Sequence, residues 1–466
     1  MLQWGHTRGQ RVPTLISELM MSQRRLALFF VCAVAQFGCA TEPAVPAVVP
    51  TWHTDVKPIS DAYCAQCHAK GGVAPFELST PAQFKAMKAS VISDLKNRVM
   101  PPWSADSHKR KYQYDESLTD AQIKTVVDWL EGGAPEGDAT KPGKAITVQR
   151  SALSRKDFTF KLPLPYKPTA SPDDYRCFQL AWPHTTNKYV TGFGVDPGNR
   201  KIAHHAVLFA IAQADAAKID KLDQDDPGEG YTCYGSPAVG EENKDVNTKF
   251  LGAWAPGMTG VDFPADTGLL IQPGTKLVLQ MHYNVAADTA GTDQTEVHLA
   301  LADKVGKQAW FMPWFNLQWF FDPATMKIKA GDAKARYEFS EVPADALVSQ
   351  ATLPNIDLKD GLTIHSVFPH MHTRGKTMQF SRVLPTGKEE LMVDVFRYDF
   401  DWQRIYFFDQ PTRVHKGDKL KVVCNWDNSA AGQPIVDGKP LAPKDLVWGE
   451  GTYDEMCIAF FYLTLQ

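Results

Sequence analysis

From about residue 157 onward the chain keeps one repeating pattern: short runs with an apolar residue at every second position, divided by Pro and Gly turns. Successive side chains of an extended chain face opposite sides of a sheet, so these runs specify strands with one buried face. The stretches 174–182, 201–211, 275–284 and 419–428 follow it. In 275–284, Val278, Gln280, His282 and Asn284 share one face, while Leu277, Leu279 and Met281 share the other. Helical periodicity is confined to the first third. A mostly β architecture follows, and 466 residues exceed what one core usually holds, so two or three domains are expected. A formal net charge of -4, with no basic stripe, argues against a nucleic-acid partner.

The eight Cys sort by neighbourhood. Cys32 lies in an apolar run, 26–35, that follows Arg24-Arg25. This is the layout of an export signal, too short to span a bilayer as a mature helix, and Met21 is a candidate start. Gly38-Cys39 then leads into an Ala/Pro/Val tether that ends at Pro50. It resembles a bacterial lipoprotein cleavage site with Cys39 as the lipidated residue, although Gln36 stands where Leu is usual. Plain secretory cleavage is the alternative. Residues 1–50 are thus read as signal and tether, and the mature protein as periplasmic or anchored to the outer membrane.

Residues 51–142 are read as a small all-α cytochrome c domain. Cys64-Ala-Gln-Cys67-His68 is the C-x-x-C-H pattern for covalent haem, with two thiols for the porphyrin and His68 for the iron. A disulfide or a zinc half-site is the competing reading, disfavoured by the His directly after the second Cys. Met100, ahead of Pro101-Pro102, is the candidate sixth ligand, and a thioether there suits an electron carrier. Its rival, Met87, sits inside an expected helix over 82–98. A second helix is expected over 118–132, ended by Gly132-Gly133. Residues 142–156 read as a polar linker.

Two features beyond the linker point to metal. His370 and His372, at i and i+2 of extended chain, project from one face and can share an ion, and Met456 offers a thioether that biases such a site to copper. His204-His205 is harder: neighbours on a regular strand point apart, so both reach one ion only if a bulge or strand end re-aims a ring. The aromatic stretch 310–321 is expected to pack between domains. Four Cys remain for disulfides, and pairing Cys177 with Cys233 and Cys424 with Cys457, one of three possibilities, keeps each bridge inside one unit.

Taken in order, Tyr-x-Cys177, His204-His205, Cys233, Trp254-Ala-Pro-Gly, Leu-Gln-Met-His282-Tyr, His370-x-His372-Thr, Cys424 and Asp-Glu-Met456-Cys457 resemble the copper type II, ascorbate-dependent monooxygenases. The likeness covers roughly 157–465. It implies two all-β, jelly-roll-like sandwich domains, 150–325 and 326–466, with two copper ions far apart across a solvent cleft. His204, His205 and His282 would hold the electron-transfer copper. His370, His372 and Met456 would hold the copper that meets O2 and substrate. Relatives use diffusible ascorbate, whereas here a c-type haem precedes the copper domains, so a donor upstream of the haem is implied. Peptide-amidating members carry Arg at the position of Phe368, and Asn and Tyr at those of Ile458 and Phe460. A small uncharged, apolar or aromatic substrate is therefore expected. Two other readings are a periplasmic electron-transfer or copper-handling protein without hydroxylase activity, and a metal-free binding module.

Overall fold

The computed structural model describes residues 48–466, apart from 71–73, 171–172, 234–235, 241–242, 244–245, 247, 256–257, 259, 286–290, 344–360, 437, 450 and 466. The segment read as an export signal, with Cys32 and Cys39, and nearly all of the expected tether lie outside the described residues.

Among the described residues, a few short helices stand where an all-α domain was expected: a run over 52–64, then Pro81–Ala86, Lys88–Lys96 and Asp120–Glu131. Two of them begin on capping boxes, Thr80 with Gln83 and Thr119 with Gln122, which satisfy otherwise orphaned N–H groups. The single helix expected over 82–98 is broken. Met87 takes φ −102° and ψ 15°, and its N–H is shared between the Gln83 and Lys85 carbonyls, closing one helix before the next begins. Trp52, Phe84 and Trp129 meet at ring-centroid distances of 5.5–5.7 Å and form the heart of this unit's core. Truncating a fully buried Trp of this kind to Ala costs about 3–5 kcal/mol.

The β part is built from three larger sheets. A five-stranded sheet runs in the order Tyr231–Thr232, Asp173–Leu180, Lys276–Asn284, Ala203–Ile211, Thr248–Trp254. A four-stranded sheet runs Ala335–Glu341, Lys419–Trp426, Gly375–Val383, Glu389–Val395. Both pack against a third, longer sheet that passes through both halves of the molecule. Its order is Phe158–Lys161, Glu296–Ala302, Lys188–Asp196, Thr267–Ile271, Lys307–Trp314, Ile458–Leu465, Leu362–His370, Tyr406–Val414. Two sandwich cores result, one mainly from residues 160–311 and one mainly from 312–463.

Lys307–Trp314 forms the seam between them. On one side it pairs in parallel with Thr267–Ile271 through Lys307, Gln308 and Ala309; on the other it pairs antiparallel with Ile458–Leu465. The Tyr462 and Thr267 hydroxyls hydrogen-bond across this seam at 2.7 Å. Backbone ladders as well as aromatic packing therefore join the halves. The helical unit is also stitched in. Trp103, Ala105 and Tyr112 belong to the core of the C-terminal half, and Ala105 and Tyr112 form β-bridges with Val395 and Phe408. Nor does the linker hang free. Leu153 fills a slot where a Cβ on Gly192, Gly194 or Gly260 would stand 2.6, 3.3 or 3.1 Å from it, and Gly260 also holds φ at +105°.

Candidate metal centre

His204, His205 and His282 converge. Their Nδ1 atoms form a triangle with sides of 3.1, 3.1 and 3.3 Å. Three imidazole lone pairs aimed at one point repel unless a cation sits between them, and donors about 2.0 Å from one first-row ion stand roughly 3.3 Å apart. The bulge demanded by adjacent His is present. Ala203 pairs with Tyr283 and His205 with His282, leaving His204 as the extra residue that turns its ring inward. Two carboxylates fix the tautomers. His282 Nε2 donates to Asp173 at 2.8 Å, and His204 Nε2 donates to Asp401 at 3.0 Å, which frees both Nδ1 atoms as ligands. His282 also stacks on Tyr175 at 4.1 Å. Burial pushes the His205 and His282 imidazoles below their ordinary range, so they stand neutral and able to ligate.

His370 and His372 make a second pair, their rings perpendicular with centroids 5.1 Å apart. His370 is the last residue of its strand and His372 lies in the following turn, so the pair occupies a strand end rather than a strand face. Here the other nitrogen is held. His370 Nδ1 donates to the Gln403 side-chain oxygen at 2.7 Å and His372 Nδ1 to the Asp454 carbonyl at 3.2 Å, leaving each Nε2 as donor atom. Burial holds both imidazoles down, His372 to about 3.

The turn that carries them is clamped twice. Tyr398 OH accepts from the Met371 N–H at 2.9 Å and donates to the Met371 carbonyl at 2.6 Å. The fully buried Glu455 accepts from the N–H groups of His372 and Arg374 and from Trp426 Nε1. Because Glu455 precedes Met456, one carboxylate ties the thioether-bearing segment to the His turn. Low polarity pushes that carboxyl up to about 7. The two disulfides are Cys177–Cys233 and Cys424–Cys457. The second fastens the residue after Met456 to the strand Lys419–Trp426.

His204 and His205 of the first set, with His370, His372 and Met456, border one cavity of about 370 Å³. Phe400 lies between them, its ring 5.8 Å from His204 and 6.2 Å from His372. The space between the two sets is thus a single cavity with largely apolar walls. Its walls include Phe209, Phe250, Trp254, Phe315, Phe368 and Phe460, and no Lys or Arg is among its described lining residues. His365 bonds Thr464 at 3.0 Å and does not line the chamber; His298 is satisfied by Thr159 and Asp196.

In the helical unit, Cys64 and Cys67 are unbridged and lie on one helical turn, with the His68 N–H donating to the Cys64 carbonyl. His68 Nδ1 donates to the Phe76 carbonyl at 2.9 Å, leaving Nε2 available. Met100 borders a small pocket with Pro101, Trp103 and Leu118, and Phe396 of the C-terminal half closes it. Met87 packs at the edge of the core.

Sequence reasoning found the histidines but not their partners. Asp173, Tyr398, Asp401, Gln403 and Glu455 were missed as functional residues. Only Glu455 had a signal, its place in the Asp-Glu-Met-Cys motif.

Copper type II ascorbate-dependent monooxygenases match the chain in two parts, the family's N-terminal domain over residues 161–290 and its C-terminal domain over 347–464. Together these cover more than half of the sequence, and the chain belongs to this family of oxygen-using copper enzymes. No curated protein matches it. Among solved structures, an allantoicase aligns at 11% identity over 62% of this chain and 81% of that one, with a TM-score of 0.16.

Proposed function

We propose that the protein is an exported monooxygenase that inserts one oxygen atom into an activated C–H bond of a small, uncharged, apolar or aromatic molecule. Substrate C–H, O2, two electrons and two protons give C–OH and water. The observation that carries this reading is the single apolar chamber bordered by His204, His205 and His370, His372, Met456. Copper held there would supply O2 activation and one-electron exchange. The chain's own part is to keep His205, His282, His370 and His372 neutral, to turn the correct nitrogen of each ring inward, and to offer a soft Met456 sulfur on one side only. With no cation in the described wall, a substrate carboxylate has no partner, whereas aromatic rings have stacking surfaces in Phe368, Phe400 and Phe460.

The same reading gives Cys64, Cys67 and His68 a covalent haem with Met100 as its second axial ligand. The freed His68 Nε2 and the unbridged thiols fit such a group. This haem would take electrons from an external donor and load the copper pair, with the His204/His205/His282 site relaying the second electron to the oxygen site.

Metal and haem analysis with product detection tests this. Purified protein should hold about two coppers and one haem per chain, and O2 uptake with an aromatic panel should yield hydroxylated product. Redox cycling without product would favour the electron carrier instead. Negligible copper would overturn the enzyme reading.

A further inference from the structure

One stretch of chain, 396–404, touches the helical unit and both histidine clusters. On the helical side, Phe396 N donates to the Ser104 carbonyl at 3.1 Å, and Arg397 reaches the Val99 carbonyl, one residue before Met100, at 3.3 Å. Arg404 pairs with Glu116 at 2.7 Å and lies 5.8 Å from the Trp103 ring. Glu116 pairs in turn with Arg150, which donates to the Ala62 carbonyl two residues before Cys64. The Cys67 thiol lies in the field of Glu116, Arg404 and Arg150. On the copper side, Asp401 accepts from His204 and Gln403 from His370. Gln403 and Arg404 are neighbours in sequence, so their two side chains and the peptide unit between them link the Glu116 ion pair to a histidine of the oxygen site. The stretch is held in place by Tyr398 on Met371 and by Gln403 Nε2 on the Phe400 carbonyl at 3.0 Å.

We propose that 396–404 is a forked electron inlet that loads each copper directly from the haem, through Asp401 to His204 and through Gln403 to His370. This rests on the haem and copper reading above. Each transfer oxidises one ferrous haem to ferric and reduces one Cu(II) to Cu(I), with no bond or proton exchanged. The external donor then re-reduces the haem for the second copper. Hydroxylation needs both electrons in the chamber, and a fork supplies them without passing both through one site.

The test uses full-length holoprotein loaded with Cu(II), its haem reduced anaerobically, and freeze-quenched EPR of both copper signals beside the optical trace of haem reoxidation. One haem electron per chain reduces one copper, so in the unmodified protein both signals decay together and their combined loss is about one Cu(II) per haem. Gln403→Leu slows decay of the His370-site signal by about 10- to 100-fold, the range for losing a partner of a metal-bound His. Arg404→Met, further from both coppers, lowers the ratio of haem-driven to ascorbate-driven reduction at both sites. If the His370-site signal of Gln403→Leu and the ratio for Arg404→Met keep their unmodified values, the fork is wrong. A strictly sequential decay, His204 site first, also overturns it. A haemochrome spectrum separates this outcome from failure of the parent reading, because lack of covalent haem would overturn both.

Discussion

The two histidine clusters solve one problem in opposite ways. At His204, His205 and His282 the sheet interior does the work: a bulge adds one residue, three Nδ1 atoms meet, and the outer nitrogens of two rings rest on Asp173 and Asp401. At His370 and His372 a strand end does it: Nδ1 is held by neutral oxygens, a Gln403 amide and the Asp454 carbonyl, and Nε2 faces the chamber with Met456 nearby. Carboxylate partners make an imidazole a stronger donor and favour Cu(II). Neutral partners and a thioether favour Cu(I), the state that meets O2. On the proposed reading, the first cluster would hold the copper that passes on an electron and the second the copper that meets O2.

Ligand removal breaks the comparison outright. His282→Ala deletes a buried ligand of the first cluster, and His372→Ala one of the second. Each should lower copper from about two to about one per chain, and the surviving EPR signal should differ between the variants because the donor sets differ. If both variants leave the same signal, the clusters are not two unlike sites.

Asp173→Asn sharpens the contrast by keeping the ligands and changing only the partner. An amide cannot compensate the His282 N–H as a carboxylate does, so copper affinity of the first cluster should fall by about 10- to 100-fold. Chelator competition reads the affinity, and the potential of that site should rise as Cu(II) loses support. Equal losses at both clusters would show that Asp173 serves the chamber as a whole.

The candidate ligands were legible through the ordered set of motifs that resembles the family, because two His at i and i+2 are common on strands by themselves, and the need for a bulge at His204-His205 followed from strand geometry alone. Their partners were not. His204 and Asp401 are 197 residues apart and His370 and Gln403 are 33 apart, and no local pattern ties an Asp or Gln to a distant imidazole. Strand periodicity likewise revealed which faces are buried but not which strands pair. The aromatic stretch 310–321 was expected to pack between domains, but nothing in it showed that Lys307–Trp314, which holds its first residues, would join the two halves by backbone ladders. The loop 103–114 read as part of the helical unit because its neighbours are helical, although its aromatic residues pack into the other core.

The smallest expected effect comes from a second bulged histidine. His365 stands at a register shift in both ladders of Leu362–His370, much as His204 does on its own strand. It differs in company, with a Thr464 hydroxyl and the Tyr462 ring in place of two more histidines. Burial, aided by the charge of Lys307, pushes its pKa from 6.5 to about 4. The folded state thus prefers neutral His365. Its contribution to stability is complete above pH 6.5 and is lost as the pH falls towards about 4, where the unfolded chain gains a proton that the folded one resists. In copper-free protein, His365→Gln should flatten the fall in melting temperature over that window, and after separate copper loading the variant should hold as much copper as the parent. An unchanged acid slope would mean that the bulge at His365 lets water reach the ring, and a lost copper would make this bulge, like that at His204, part of a metal site.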